Sequence, residues 1–218
     1  MTNSSPFPPH RLVGRVAAVA LLAAGAACAR AEAPAEPAPA LVTRAAAEYV
    51  FYEVSGDTPA ALRASLREGS ARTLGGSHFA RADWNVTWRA RWEGDRTCRV
   101  GSVDVRLTAR VTLPRWDPPA DAAPELVARW GAFMHALSLH EARHVDIGAE
   151  AARAVRRAVE AESNTSCAGM DSRTRAAAER ALAAHREKNR EYDERTRHGV
   201  TEGAVWPPRA TEAPPTPR

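Results

Sequence analysis

Between Trp84 and Leu113 the chain alternates apolar and polar residues twice over, and no other feature restricts its fold as strongly. In Trp84-Asn85-Val86-Thr87-Trp88-Arg89-Ala90-Arg91-Trp92 every even position is apolar and every odd one polar, so three tryptophans share one face of a strand. Val103, Val105, Leu107, Ala109, Val111 and Leu113 then point one way, while Asp104, Arg106, Thr108 and Arg110 point the other. Gly94-Asp95-Arg96-Thr97 supplies the turn between them, and Gly101 is placed to absorb a change of register after Cys98. The result is an antiparallel hairpin with one buried face, where core packing accounts for the tryptophan row better than a ligand platform does.

The rest of the chain reads as an earlier strand and three helices. Tyr49–Val54 is aromatic and β-branched, a first strand. Thr58 is an N-cap and Pro59 a first helical residue, opening a short helix expected to end near Gly69. After the stop at Leu113–Pro119, a long helix is expected from about Asp121 to Ser163, with Leu126, Trp130, Phe133, Leu137, Val155 and Val159 along its inward stripe. A second long helix, capped by Asp171 or Ser172, should run towards His198 and stop at Gly199. Its inward positions Leu182, His185, Asn189, Tyr192 and Thr196 become more polar along its length, as expected where one end lines a site. The fold class expected is α+β, a small antiparallel sheet packed on two long helices.

The two ends of the chain have different characters. Arg11 and Arg15 precede an apolar run from Val16 to Ala27, too short to span a bilayer, and small residues follow. Residues 1–29 therefore read as a signal peptide, residues 30–42 as a disordered Ala/Pro linker, 43–206 as the domain, and 207–218 as a disordered Pro-rich tail; the tail's character begins at Trp206. A secreted or periplasmic protein follows, with no transmembrane span in the mature chain; lipid anchoring through Cys28 is the alternative. Cleavage or acylation at Cys28 leaves Cys98 and Cys167, an even pair in an oxidising compartment, and a disulfide between them is expected. The net charge of +4 comes almost wholly from arginines interleaved with glutamates. With no concentrated basic stripe and no stacking aromatics near one, the chain does not read as a nucleic-acid binder.

Chemistry enters at His140-Glu141-Ala142-Arg143-His144. Histidines four apart lie one helical turn apart on the same face, where their rings can converge on one ion. Extending the helix stripe places both rings inward, and two buried histidines need polar partners. Glu141 stands where a carboxylate can take a proton from water activated by Zn2+. This is the zincin pattern, a zincin-like active-site helix. A catalytic zinc needs a third protein ligand and an open position. The metzincin spacing is absent, since Glu150 stands where its third histidine would be. The third ligand must come from a later element packing back on this helix.

The tryptophan-rich strand, Cys98, Leu113-Pro114-Arg115-Trp116, the His140–His144 motif, Cys167, Tyr192-Asp193-x-x-Thr196-x-His198-Gly199 and Gly203-Ala204 occur together and in order. In these the chain resembles a bacterial family of predicted secreted zinc-dependent proteases catalogued as domain of unknown function 922, from about Tyr49 to Ala204. The resemblance implies a secreted zinc metallopeptidase acting on a peptide or protein substrate. By matching position it implies His198 as third ligand, with Glu150 and then Asp193 as substitutes. It gives Tyr192 as an oxyanion donor or a packing residue, and Asp193 as a carboxylate orienting a ligand histidine. Glu202 stands where the family favours glutamine, a departure that bears on specificity if the side chain touches substrate. The alternatives are an extracytoplasmic binding module with a structural zinc and no turnover, or a helical adaptor without metal. The oligomeric state is not inscribed in any of these features.

Overall fold

The computed structural model describes residues 43–44, 47–76 and 78–208. The expected signal peptide with Cys28, the expected linker, and the tail beyond Pro208 lie outside the described residues. Five strands and three α-helices follow in the order β1 (Thr43–Arg44), β2 (Glu48–Val54), α1 (Pro59–Leu74), β3 (Arg81–Glu93), β4 (Cys98–Trp116), α2 (Pro124–Glu160), β5 (Ser163–Asn164) and α3 (Met170–Thr196), and a 3-10 turn, Val200–Glu202, closes the series.

The 19-residue β4 is the spine of the sheet. Along one edge it pairs antiparallel with β3, from Arg81↔Thr112 to Glu93↔Arg99. This is the hairpin that the alternation requires, and its burial also alternates residue by residue. The register steps between Arg91↔Ser102 and Trp92↔Val100, leaving Gly101 as the extra residue of a β-bulge. Along its other edge β4 takes β5 antiparallel at Cys98, then β1 and β2 parallel, with Glu48↔Arg110 through Val54↔Trp116. The sheet is therefore mixed, which corrects the antiparallel sheet expected above. A parallel pair needs a crossover, and α1 together with β3 supplies it between β2 and β4. Where β2 joins, Val111, Thr112, Leu113 and Pro114 are all buried, so both sheet faces are covered at that end.

Thr58 caps α1 through its side chain, accepting from the Ala61 N–H at 3.2 Å, and Pro59 follows. The helix does not end near Gly69. That glycine is buried inside it against the Tyr52 ring, and the stop is Gly75 in the left-handed region at φ 66°. Leu62 and Leu66 are fully buried beneath the helix. Its long successor α2 buries Leu126, Trp130, Phe133 and Leu137 and continues through Val155 and Val159, packing over β3 and β4 and along α3. Close approach to the sheet depends on Gly148, since a Cβ there would stand 2.8 Å from Trp84 Cγ.

At its start α3 has no side-chain cap. Gly169 occupies that position in the left-handed region, and Met170, wholly buried, opens the helix, so neither Asp171 nor Ser172 caps it. Cys98 and Cys167 form the expected disulfide, tying the start of β4 to the loop before α3. Trp206 is a further correction. The proline-rich run that begins there reads as tail, yet this indole is 2% exposed. It packs edge-on against Trp130 and Phe133, with ring centroids 5.4 and 5.5 Å away, and its Nε1–H donates to the Pro59 carbonyl at 3.0 Å. No helix among the described residues is long and apolar enough to cross a membrane.

Candidate metal centre

His140 and His144 lie on the buried stripe of α2, 3% and 4% exposed, with ring centroids 4.8 Å apart. Opposite them α3 presents Asn189 and Asp193, also one turn apart. His140 Nε2 and His144 Nε2 stand 3.2 Å from each other, and Asp193 Oδ1 is 3.2 Å from the first and 3.0 Å from the second. Among the described residues these three are the cluster whose ligand atoms converge tightly enough to share one cation.

The protons on the two rings can be assigned from their outer partners. Asn189 Oδ1 accepts from the Trp84 indole N–H at 3.2 Å, and an indole is a donor only, so the amide oxygen must face it. That same oxygen is 2.9 Å from His144 Nδ1, which must therefore carry the hydrogen. His140 Nδ1 is 2.9 Å from Glu202 Oε2, and this carboxylate also accepts from the Tyr192 hydroxyl at 2.9 Å. With both Nδ1 atoms donating, the two Nε2 atoms and a carboxylate oxygen turn towards one point, where a positive charge, carried by a ring proton or by a cation, holds them together.

Zinc fits this geometry. Around a tetrahedral ion with bonds of about 2.05 Å, ligand atoms stand roughly 3.3 Å apart, close to the 3.0, 3.2 and 3.2 Å found here. Orientation of each imidazole through its other nitrogen is the usual support for a metal ligand. The electrostatics agree. Burial works against charge on His140, but hydrogen bonds to Asp193 and Glu202 outweigh it and raise its pKa. For His144 burial is likewise outweighed, by Asp193 and Asn189. Burial would raise the Asp193 carboxyl, yet the hydrogen bonds from both rings hold it well below the usual range. A positive charge at this point is favoured.

Glu141 is buried beside the triad at 4% exposure and lines a cavity of about 600 Å³. Burial pushes its carboxyl up to about 7, against the pull of His144 and His140. The start of β3 lies beside it: the Ala82 backbone hydrogen-bonds the Glu141 carboxyl, and Arg81, Ala82 and Asp83 line the same cavity.

The remaining candidates fall elsewhere. His198, expected as third ligand, is outside the converging group. Its Nδ1 is 3.4 Å from Asp193 Oδ1, its ring stacks on His78 at 3.9 Å between centroids, and its side chain is 49% exposed at the cavity. The cause is the backbone at the end of α3, where Arg197, His198 and Gly199 take φ of 50°, 52° and 79°. Two left-handed residues that are not glycine represent local strain, held here by the turn that follows. Gly199 is required at its position, because a Cβ would come within 2.9 Å of His140 Cγ. Asp193, expected to orient a ligand or to stand in as third ligand, is the group that converges with the two rings. Glu150 is paired with Arg143 at 3.0 Å and with Lys188, away from the rings. Tyr192 is buried behind His140, stacked on it at 5.0 Å, with its hydroxyl turned to Glu202 and away from the cavity. Glu202 likewise touches His140 and Tyr192, so its departure from glutamine concerns the centre. Asn189 is the residue the motif alone did not single out; the polar drift of the inner α3 face was its one signal.

An α+β domain whose two long helices bring two imidazoles and a carboxylate together beside an open cavity defines the class. The chain belongs to the family described as bacterial protein of unknown function (DUF922), whose model matches residues 49–199. No curated protein and no solved structure matches it.

Proposed function

We propose that the protein is an exported zinc-dependent metallopeptidase with a zincin-like active-site helix, in which His140, His144 and Asp193 hold the metal. The observation that carries this reading is the convergence of two imidazole nitrogens and a carboxylate oxygen at the wall of a cavity. Structural zinc is held by four protein ligands in closed sites, whereas a catalytic site keeps a position open. Three ligands and an adjoining cavity favour catalysis over a structural pin.

Zinc bound there would supply Lewis acidity, lowering the pKa of water and polarising a carbonyl. The protein's own groups do the rest. Glu141, on the cavity side of the centre, takes a proton from the attacking water and returns it to the leaving nitrogen. His198, held by Asp193 and His78, is a half-exposed ring at the cavity, and it donates to the substrate's carbonyl oxygen. Tyr192 has no such access. Peptide is favoured over other carbonyl substrates by β3. Among the described strands it pairs with β4 alone, and its free edge at Arg81–Asp83 can take an extended chain by strand addition.

The test is to purify the mature protein, measure its zinc, and incubate it with unfolded proteins under mass-spectrometric readout. Wild type should carry about one zinc per chain and cut; Glu141→Gln should keep the zinc and cut nothing. Less than about a tenth of a zinc per chain would remove the metal from the account. Stoichiometric zinc with no cleavage anywhere would leave the binding module with a structural metal.

A further inference from the structure

The charges around the cavity do not balance. Asp193 and Glu141 lie at the centre, and Arg81 is paired with Asp83 at 2.9 Å. Arg63, Arg67 and Arg197 also line the cavity, and none of them has a carboxylate within salt-bridge distance among the described residues. Arg63 and Arg67 sit one turn apart on α1, whose Leu62 and Leu66 are wholly buried, so the helix presenting them is firmly seated. The Arg63 guanidinium is half-buried and donates one N–H to the Trp206 carbonyl at 2.6 Å, which orients it and leaves its other donors free. Arg197 enters from the strained turn at the end of α3, its backbone fixed in the left-handed region. A rigid guanidinium with spare donors is suited to a carboxylate.

We infer that the cavity selects peptides bearing a carboxylate near the bond to be cut, received by Arg63, Arg67 and Arg197. This rests on the metallopeptidase reading and names its substrate class. The carboxylate belongs either to an acidic side chain or to the peptide's own C-terminus, two sources of one chemistry. The arginines engage it while the backbone runs along the edge of β3, so affinity and register come from different walls of the cavity.

The experiment uses the zinc-loaded full protein and a set of short peptides of one scaffold. These carry an internal glutamate with an amidated end, a neutral sequence with a free C-terminus, a neutral sequence with an amidated end, or an internal lysine. Binding to the Glu141→Gln protein is read by fluorescence anisotropy, and kcat/KM is read on wild type. At least one carboxylate peptide should exceed the neutral amidated one by about tenfold in both readings, and which one identifies the source. In Arg67→Gln/Arg197→Gln, two exposed positions whose replacement spares the core, that ratio should collapse towards one, and it should shrink with salt in wild type. A ratio below about threefold, or one that survives the double substitution, overturns the inference. Either result comes with zinc bound and peptides cut. Failure of the underlying reading looks different, as a protein without zinc or without cleavage of any peptide.

Discussion

At the scale of single residues, the centre distinguishes a ligand from its neighbours. Asp193→Ala should weaken zinc binding by more than about a hundredfold, beyond the loss typical of an orienting partner, while His198→Ala should leave about one zinc per chain. Glu202→Ala should cost roughly 10–100-fold in zinc affinity, and Glu202→Gln much less, because an amide oxygen can still accept from His140 Nδ1. Titration against a chromogenic chelator reads all four; zinc lost in His198→Ala and kept in Asp193→Ala would invert the assignment. His140, Glu141 and His144 were legible because helical period fixes which side chains share a face. The group that converges with the two rings was legible only as the second substitute for His198. Asp193 and His198 are five residues apart near one helix end, and which of them turns inward depends on two left-handed residues, Arg197 and His198, that no glycine announces. Asn189 stayed hidden because a lone amide on a polar face carries no signature until Trp84 and His144 meet at it.

Secondary-structure elements show the same division between local and distant causes. The alternation of β3 and β4 and the register change at Gly101 were readable, because period two and a turn are written in adjacent positions. The strand ends were not, since β3 begins at Arg81 and β4 runs on to Trp116. Parallel pairing of β1 and β2 with β4 was not, since it joins residues more than 60 apart in the chain. A buried Gly69 disguised the length of α1 by looking like a stop. The disulfide was legible from compartment and count, and it clamps β4 to the entry of α3. In the chain-entropy picture, closing this loop is worth on the order of 4 kcal/mol. Cys98→Ser/Cys167→Ser should lower the unfolding free energy by roughly 2–4 kcal/mol, measured from the urea midpoint, while the zinc triad, which lies at the far end of α3, keeps its metal at low denaturant. An unchanged midpoint would mean that the loop is held by other contacts.

Across the whole molecule, the segment after α3 joins the core to the centre. From Gly199 against the His140 ring, through Glu202 on its Nδ1, the chain reaches Trp206, which is buried among Trp130, Phe133 and the start of α1. Trp206→Ala should cost about 3–5 kcal/mol of stability and should also loosen zinc, because the turn that orients His140 loses its anchor. Calorimetry with and without added zinc separates the two effects, and an unaltered zinc affinity in the folded variant would show the anchor and the centre to be independent. Composition concealed this segment, since its prolines resemble those of the tail.

Trp84 gives the centre a visible signal of its own. Its indole hydrogen bond ends on the same amide oxygen that holds His144, so the arrival or departure of a cation one bond further on alters the electronic surroundings of a fluorophore. Of the six tryptophans, Trp84 is hydrogen-bonded to the proposed zinc site, and light emitted by the native protein should dim or shift as the ion enters, without any dye, except where Trp84 has been replaced by phenylalanine.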